Sequence, residues 1–265
     1  MESKVYITLL STDSYMWGAI MLNTCLKKVH AQYPLHVVCS DSISERTIAT
    51  LHQCGLTTIQ LTEHLNQATD MSDREDSYWR NTFDKLYVWD MTQYEKVVFL
   101  DSDMQIVRNI DDLFEQPHMS AVIADQFDEP GLEKLNSGLI VIEPNHDEFV
   151  GLSTLAKDFY YREHVGDQDV IRAYYSDWYS RNCVIPPSYN ILYDQCNSQR
   201  GNIRKENVIP VFVIHYIGKK KPWMMTIRAI YRRTKNNFLG RYIVAYYFSL
   251  QWQRFLMRIK RISAK

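Results

Sequence analysis

The chain has 265 residues, 46% of them hydrophobic, with nine glycines and eight prolines, enough for one large α/β domain with an ample core. Thirty Lys/Arg against 31 Asp/Glu leave a net charge of −1, and no nucleic-acid partner is expected. No apolar stretch approaches the roughly 20 residues that cross a bilayer, no signal-peptide pattern precedes the first strand, and the five cysteines (Cys25, Cys39, Cys54, Cys183, Cys196) form no CxxC pair, as expected of reduced thiols in a cytosolic protein without a structural zinc site.

Val5 to Leu10 is a run of β-branched and apolar residues that predicts a buried first strand, followed by Ser11-Thr12-Asp13 as a loop and helix start. Tyr15 to His30 fits a helix, Leu35 to Cys39 a second strand, Ser44 to Cys54 a second helix and Thr57 to Leu61 a third strand. This alternation predicts a parallel sheet with crossover helices. The first strand-to-helix turn lacks GxGxxG, which argues against a dinucleotide-binding dehydrogenase. His64 to Arg80 is polar without a clear period and reads as a mobile loop or lid, and Thr82 to Met91 predicts a helix with Phe83, Leu86 and Val88 or Trp89 inward.

Val97-Val98-Phe99-Leu100 then predicts a central buried strand that delivers Asp101-Ser102-Asp103 at its carboxyl end. Ligands of parallel α/β sheets bind at that edge. Two carboxylates spaced i, i+2 suit a hard divalent cation, Mn²⁺ or Mg²⁺, that also takes phosphate oxygens. An isolated Asp-x-Asp is equally well a solvated turn; its company decides. Ala121 to Ala124 predicts a strand ending at Asp125, and Leu139 to Ile142 one introduced by Asn136-Ser137-Gly138. Asp147–Tyr161 and Asp167–Tyr175 are predicted helices, and Val184–Pro186 and Val211–Ile214 late strands, the last ending at His215. An imidazole completes a mixed N/O shell for Mn²⁺. The following Gly218-Lys219-Lys220-Lys221 offers a flexible turn and cations suited to a diphosphate.

Thr8 through Tyr15, Lys85-Leu86, Phe99 through Asp103, Asn109 through Phe114, Asn136-Ser137-Gly138, Gly166-Asp167-Gln168 and His215 through Trp223 together resemble the retaining glycosyltransferases of family 8, in that family's order along the chain. The resemblance implies an α/β GT-A fold with a mostly parallel central sheet, a UDP-sugar donor, a glycan acceptor and a bound metal. It divides the chain into a catalytic domain, 1–223, and a C-terminal tail, 224–265. By the same resemblance Asp101, Asp103 and His215 hold the metal, and Leu9, Ser11, Thr12 and Tyr15 line the uridine pocket. Lys85, Asp125, Asn136, Ser137, Asp167 and Gln168 surround the sugar, Ser102 lies between the two metal carboxylates, and Gly218 and Lys221 contact the diphosphate. Lys221, Asp167 and Gln168 are the implied catalytic set. Arg74 or Arg80 supplies a cation to the nucleotide. The run Asp167-Gln168-Asp169 is similar to the bacterial lipopolysaccharide enzymes of the family, and no tyrosine matches a self-glycosylated one.

Two other readings compete. A phosphatase with Asp-x-Asp-x-Thr would place a threonine where Gln105 stands and the motif on the first strand. A sugar-nucleotide-binding protein with a decayed site would not need the metal triad and Lys221. The last 50 residues, from Tyr216, hold 13 Lys/Arg and no acid, leaving 17 basic and 31 acidic residues in the rest. Phe238 to Ile262 mixes these cations with Tyr, Trp, Phe, Leu and Ile, the composition of a helix lying on an anionic membrane surface. The expected location is cytoplasmic, peripheral on the inner face of a membrane. The competing reading of this segment is a helix packed on the acidic body.

Overall fold

The structure, a computed structural model, describes residues 3–62, 82–124, 134–159, 165–197 and 203–263. The segment His64–Arg80, with Arg74, and the residues Asp125, Pro130 and Gly131 lie outside them. In chain order the elements are β1 (Lys4–Leu10), α1 (Met16–Lys28), β2 (Leu35–Cys39), α2 (Glu45–Gln53), β3 (Thr57–Gln60), β4 (Lys96–Leu100), β5 (Met104–Ile106), β6 (Ala121–Ile123), β7 (Leu135–Ile142), α3 (His146–Phe159), α4 (Asp167–Tyr174), β8 (Ile191–Leu192), β9 (Val213–His215), α5 (Ile227–Thr234) and α6 (Gly240–Ser263). The chain folds into two compact units, one of residues 1–16, 31–102 and 110–186, the other of 17–30, 103–109 and 187–265.

The first unit is built on a six-stranded sheet in the order β3-β2-β1-β4-β7-β6. β3, β2, β1 and β4 are parallel, and β7 runs against both β4 and β6. The predicted apolar runs are the strand interiors: Val5, Ile7, Val37, Val38, Val97 and Phe99 are all without solvent contact. Such runs are what a sheet covered on both faces requires. Ser44 caps α2, its hydroxyl accepting from the Thr47 amide at 3.3 Å.

One local expectation is refined and another corrected. The helix predicted at Thr82–Met91 is present as a 3₁₀ helix, Phe83–Asp90. Phe83, Leu86 and Trp89, all buried, recur every third residue, which matches the three-residue turn of that helix and puts one apolar row on the core. Val184–Pro186 makes only an isolated bridge to Ala121 instead of a strand.

The second unit carries a three-stranded sheet, β5-β9-β8, with β9 antiparallel to β5 and parallel to β8. The segment 224–265, read from the sequence as a tail, belongs to this unit together with 187–223. Its helix α6 buries Ile243, Tyr246, Leu250 and Met257, a helical stripe. Lys28 on α1 donates to the Ser249 hydroxyl at 2.6 Å, and Gln105 on the β5 strand donates to the Tyr242 carbonyl at 3.2 Å.

Candidate active site

Each unit carries a cluster of the residues singled out in the sequence. In the first, β4 ends at Leu100 and hands Asp101 to the carboxyl edge of the sheet, where the Asp101 amide donates to the Gly138 carbonyl on β7 at 2.8 Å. Lys85 is 5% exposed, and its ammonium lies 2.7 Å from Asp167 and 3.1 Å from Asp101. It also donates to the Ser137 carbonyl at 3.2 Å and sits 4.8 Å from the centre of the Phe99 ring. Burial opposes the charge on Lys85, but the two carboxylates outweigh it and hold its pKa above the ordinary lysine value.

Asp167 begins α4 and is fixed from three sides. Its amide donates to the Thr82 hydroxyl at 3.0 Å, its carboxylate accepts from the Ser137 hydroxyl at 2.9 Å, and Lys85 closes the ring. Gln168, next along the helix, accepts from the Ser137 amide at 3.0 Å through its side-chain oxygen. Lys85, Asp101, Ser137, Asp167 and Gln168, taken from four places in the sequence, therefore form one polar cluster of carboxylate, hydroxyl, amide and ammonium groups. A polyhydroxyl ligand needs such a mixture of donors and acceptors. Asn136, beside them, uses its side-chain oxygen to accept from the Gly138 amide at 2.9 Å. Ser102 is buried.

The implied base-binding residues lie at the end of β1 and just after it. Leu9 is half-buried near its end, Ser11 and Tyr15 are half-buried, and Thr12 is exposed with its hydroxyl 2.7 Å from that of Ser14. Tyr15 closes a short 3₁₀ turn, Asp13–Tyr15, rather than opening α1. Asp125 lies outside the described residues.

In the second unit, β5 and β9 bring Asp103 and His215 to one end of the small sheet: Met104 pairs with His215, and the Tyr216 amide donates to the Asp103 carbonyl at 3.0 Å. His215 Nε2 is 3.1 Å from Asp103 Oδ1 and Lys221 Nζ is 2.5 Å from Oδ2. All three are buried. Burial opposes ionisation of Asp103, yet His215 and Lys221 hold its pKa far below the usual carboxylate range. Gly218 has a φ of 89°, a backbone that glycine adopts without strain, and the turn it makes brings Lys221 back so that its ammonium also donates to the Tyr216 carbonyl at 3.0 Å.

The donor set fits a divalent metal. Asp103 contributes a carboxylate and His215 an imidazole nitrogen, oxygen and nitrogen ligands that Mn²⁺ accepts. Two acceptor atoms 3.1 Å apart, Nε2 and Oδ1, are stable neighbours only with a proton or a cation between them. No sequence motif points to Asn190, which is 5% exposed and whose Oδ1 lies 3.0 Å from His215 Nδ1; its sequence cue is its place just before β8.

The pattern of glycosyl transferase family 8 matches residues 6–226. Mouse (Mus musculus) glycogenin-1 is 28% identical over 246 residues, covering 85% of this chain and 67% of its own. Galactinol synthase 1 of Solanum lycopersicum is 30% identical over 250 residues, covering 85% and 75%. UDP-glucuronate:xylan alpha-glucuronosyltransferase 2 of Arabidopsis thaliana is 29% identical, and the chain spans only 36% of its length. Among solved structures, the galactosyltransferase LgtC in complex with donor and acceptor sugar analogues superposes with a TM-score of 0.65 at 18% identity, covering 92% of this chain and 96% of that one. The apo glycosyltransferase GlyE of Streptococcus pneumoniae TIGR4 superposes with a TM-score of 0.62 at 17% identity, covering 97% and 64%. The strand order, the mostly parallel sheet and these neighbours make the fold GT-A, and the chain belongs to glycosyl transferase family 8.

Proposed function

We propose that the chain transfers a hexose, glucose or galactose, from a UDP-sugar to a glycan acceptor, with retention of anomeric configuration and with Mn²⁺ or Mg²⁺ bound. The observation that carries this reading is the buried cluster of Asp103, His215 and Lys221, a metal-type donor pair with a cation fixed beside it. In this reading Asp101 joins Asp103 and His215 as a ligand. A bound divalent ion would supply Lewis-acid stabilisation of the negative charge that develops on the departing diphosphate. Lys221 adds a second positive charge, and its anchoring to Asp103 and to the Tyr216 carbonyl spares the cost of orienting it during reaction.

In the sugar subsite, the Asp167 carboxylate and the Ser137 hydroxyl oxygen, whose proton goes to Asp167, offer acceptors to sugar hydroxyl groups. Asp167 is tied to Lys85 and Ser137, which lowers its nucleophilicity, and the Gln168 amide is a poor nucleophile with its oxygen already engaged. This supports attack by the acceptor hydroxyl from the leaving-group face over a covalent glycosyl-enzyme. A panel of UDP-sugars, with and without Mn²⁺, scored for slow donor hydrolysis and thermal stabilisation, tests the reading. Mn²⁺-dependent hydrolysis of one donor supports it. Stabilisation without hydrolysis favours the decayed binding protein, and neither effect overturns both.

The acceptor we assign is a lipid-linked or cell-surface glycan, with the enzyme peripheral on the inner face of a membrane. On α6, Phe248 is 60%, Trp252 58%, Phe255 50% and Ile259 43% exposed. Their spacing of four, three and four residues places them along one face. Arg241, Arg254, Arg258 and Lys260 lie on the same helix, and no acid occurs from Tyr216 onward, so the complementary surface is anionic lipid. No helix among the described residues is long and apolar enough to cross a membrane.

A further inference from the structure

His215 has two ring nitrogens, and only one of them faces Asp103. The other, Nδ1, lies 3.0 Å from the side-chain oxygen of Asn190. A carbonyl oxygen accepts hydrogen bonds and does not donate them, so Nδ1 carries the proton of that bond. With Nδ1 donating to Asn190, Nε2 is the ring nitrogen that faces Asp103 Oδ1 at 3.1 Å, where it donates a proton in the metal-free protein and offers its lone pair once a metal is bound.

Asn190 is itself rigidly placed. Its amide donates to the Pro187 carbonyl at 3.1 Å, the preceding ring of Tyr189 stacks on Phe212 at 4.4 Å with an interplanar angle of 9°, and the Phe212 amide donates to the Ser188 carbonyl at 3.0 Å. Immediately after it, β8 pairs with β9, Leu192 opposite His215. Two strands of one small sheet thus hold the amide and the imidazole in register. Asn190 and His215 are each 5% exposed, leaving little room for water to take over the bond.

We propose that Asn190 is the positioning residue of the metal site: by accepting from Nδ1 it fixes the tautomer and ring orientation of His215 and presents Nε2 as the ligand atom. This inference rests on the metal reading of Asp103 and His215 and adds to it a residue that touches neither metal nor substrate. Partners of this kind orient a ligating histidine and raise its basicity, and losing one lowers metal affinity about tenfold to a hundredfold.

The full chain is tested by Mn²⁺ titration followed by electron paramagnetic resonance, with ¹⁵N NMR of the imidazole in the metal-free and Mg²⁺-loaded protein. Asn190→Leu keeps the approximate volume and removes the acceptor, and Asn190→Asp keeps the acceptor. The expected results are an Nδ1-protonated His215 in the wild type, Mn²⁺ affinity lower by about tenfold to a hundredfold in Asn190→Leu, and affinity near or above wild type in Asn190→Asp. Wild-type affinity in folded Asn190→Leu, equal losses in both variants, or a wild-type His215 protonated only on Nε2 each overturn the proposal. The NMR measurement needs no variant, so it decides even if Asn190→Leu does not fold. His215→Ala separates the two levels. If His215→Ala leaves Mn²⁺ affinity unchanged, the metal reading itself falls; if it weakens binding and Asn190→Leu does not, only the role of Asn190 falls.

Discussion

Lys221 Nζ lies 2.5 Å from Asp103 Oδ2, and both side chains are at most one-tenth exposed. An ammonium placed this way is poised for charge that grows elsewhere. Lys221→Ala is expected to lower kcat by on the order of a hundredfold, while the affinity for UDP-sugar falls much less. Single-turnover kinetics beside direct donor binding check it; equal losses in affinity with kcat unchanged make Lys221 a simple binding residue.

The same pair ties activity to stability. A carboxylate at a strand end reads from sequence as dispensable to the core, but Asp103 is buried against His215 and Lys221. Asp103→Asn is therefore expected to abolish metal-dependent turnover and also to cost about 3–5 kcal/mol, because it takes the nearest anion away from a buried ammonium. The double variant Asp103→Asn/Lys221→Met should recover much of the lost Tm and none of the turnover. A Tm no higher in the double variant than in the single one would show that the pair is not the source of the loss.

The pH dependence follows from the depressed pKa of Asp103. A carboxyl whose folded pKa lies below its ordinary 3.8 stabilises the fold fully above that value and loses the contribution as pH falls toward the folded pKa. The stability difference between wild type and Asp103→Asn should shrink as pH falls below about 4. Denaturant melts below about pH 5, without added metal, measure it; a difference that grows as pH falls below about 4 contradicts the assignment.

Helix α6 has two apolar faces, and they should respond differently to substitution. Leu250→Ala on the buried face is expected to cost about 2–5 kcal/mol. Tyr246→Phe should leave stability unchanged or raise it, since the buried Tyr246 hydroxyl has no hydrogen-bond partner among the described residues. Trp252→Ser with Phe255→Ser should instead leave Tm and donor hydrolysis near wild type and sharply reduce co-sedimentation with anionic vesicles. Unchanged vesicle binding in that double variant would remove the membrane reading. Deleting 238–265 would not discriminate, because it takes Ile243, Tyr246 and Leu250 out of the core.

Much of this was legible before any coordinates. The β-branched runs at Val5, Val37 and Val97 announce buried strands because a strand covered on both faces is mostly apolar, and the Asp-Ser-Asp after Leu100 announces a site because strands of such sheets end at one edge. The helix from Phe83 is legible in the sequence, but its 3₁₀ form is not, because a row recurring every third residue is close to α-helical spacing over so short a stretch. The clasp of Lys85 between Asp101 and Asp167, and that of His215 by Asn190, join residues from 16 to 82 positions apart. No local pattern encodes such distances; they exist only once strands have paired. The exposed and buried stripes of α6 were both present in the sequence, but an aromatic residue does not say by itself which side it faces.

β7 runs opposite to β4, with Leu139 beside Leu100. Had that strand run the other way, its closing residues would have reached the edge where Asp101 stands. Reversed, it delivers its opening ones, Asn136 and Ser137, and sends Ile142 to the far rim. The direction of one strand thus decides which end of its segment is chemically eligible. A search for ligand-binding groups in such a sheet has to look in front of the reversed strand as well as behind the forward ones, and an insertion just before Leu135 would strike the chemistry while one just after Ile142 would spare it.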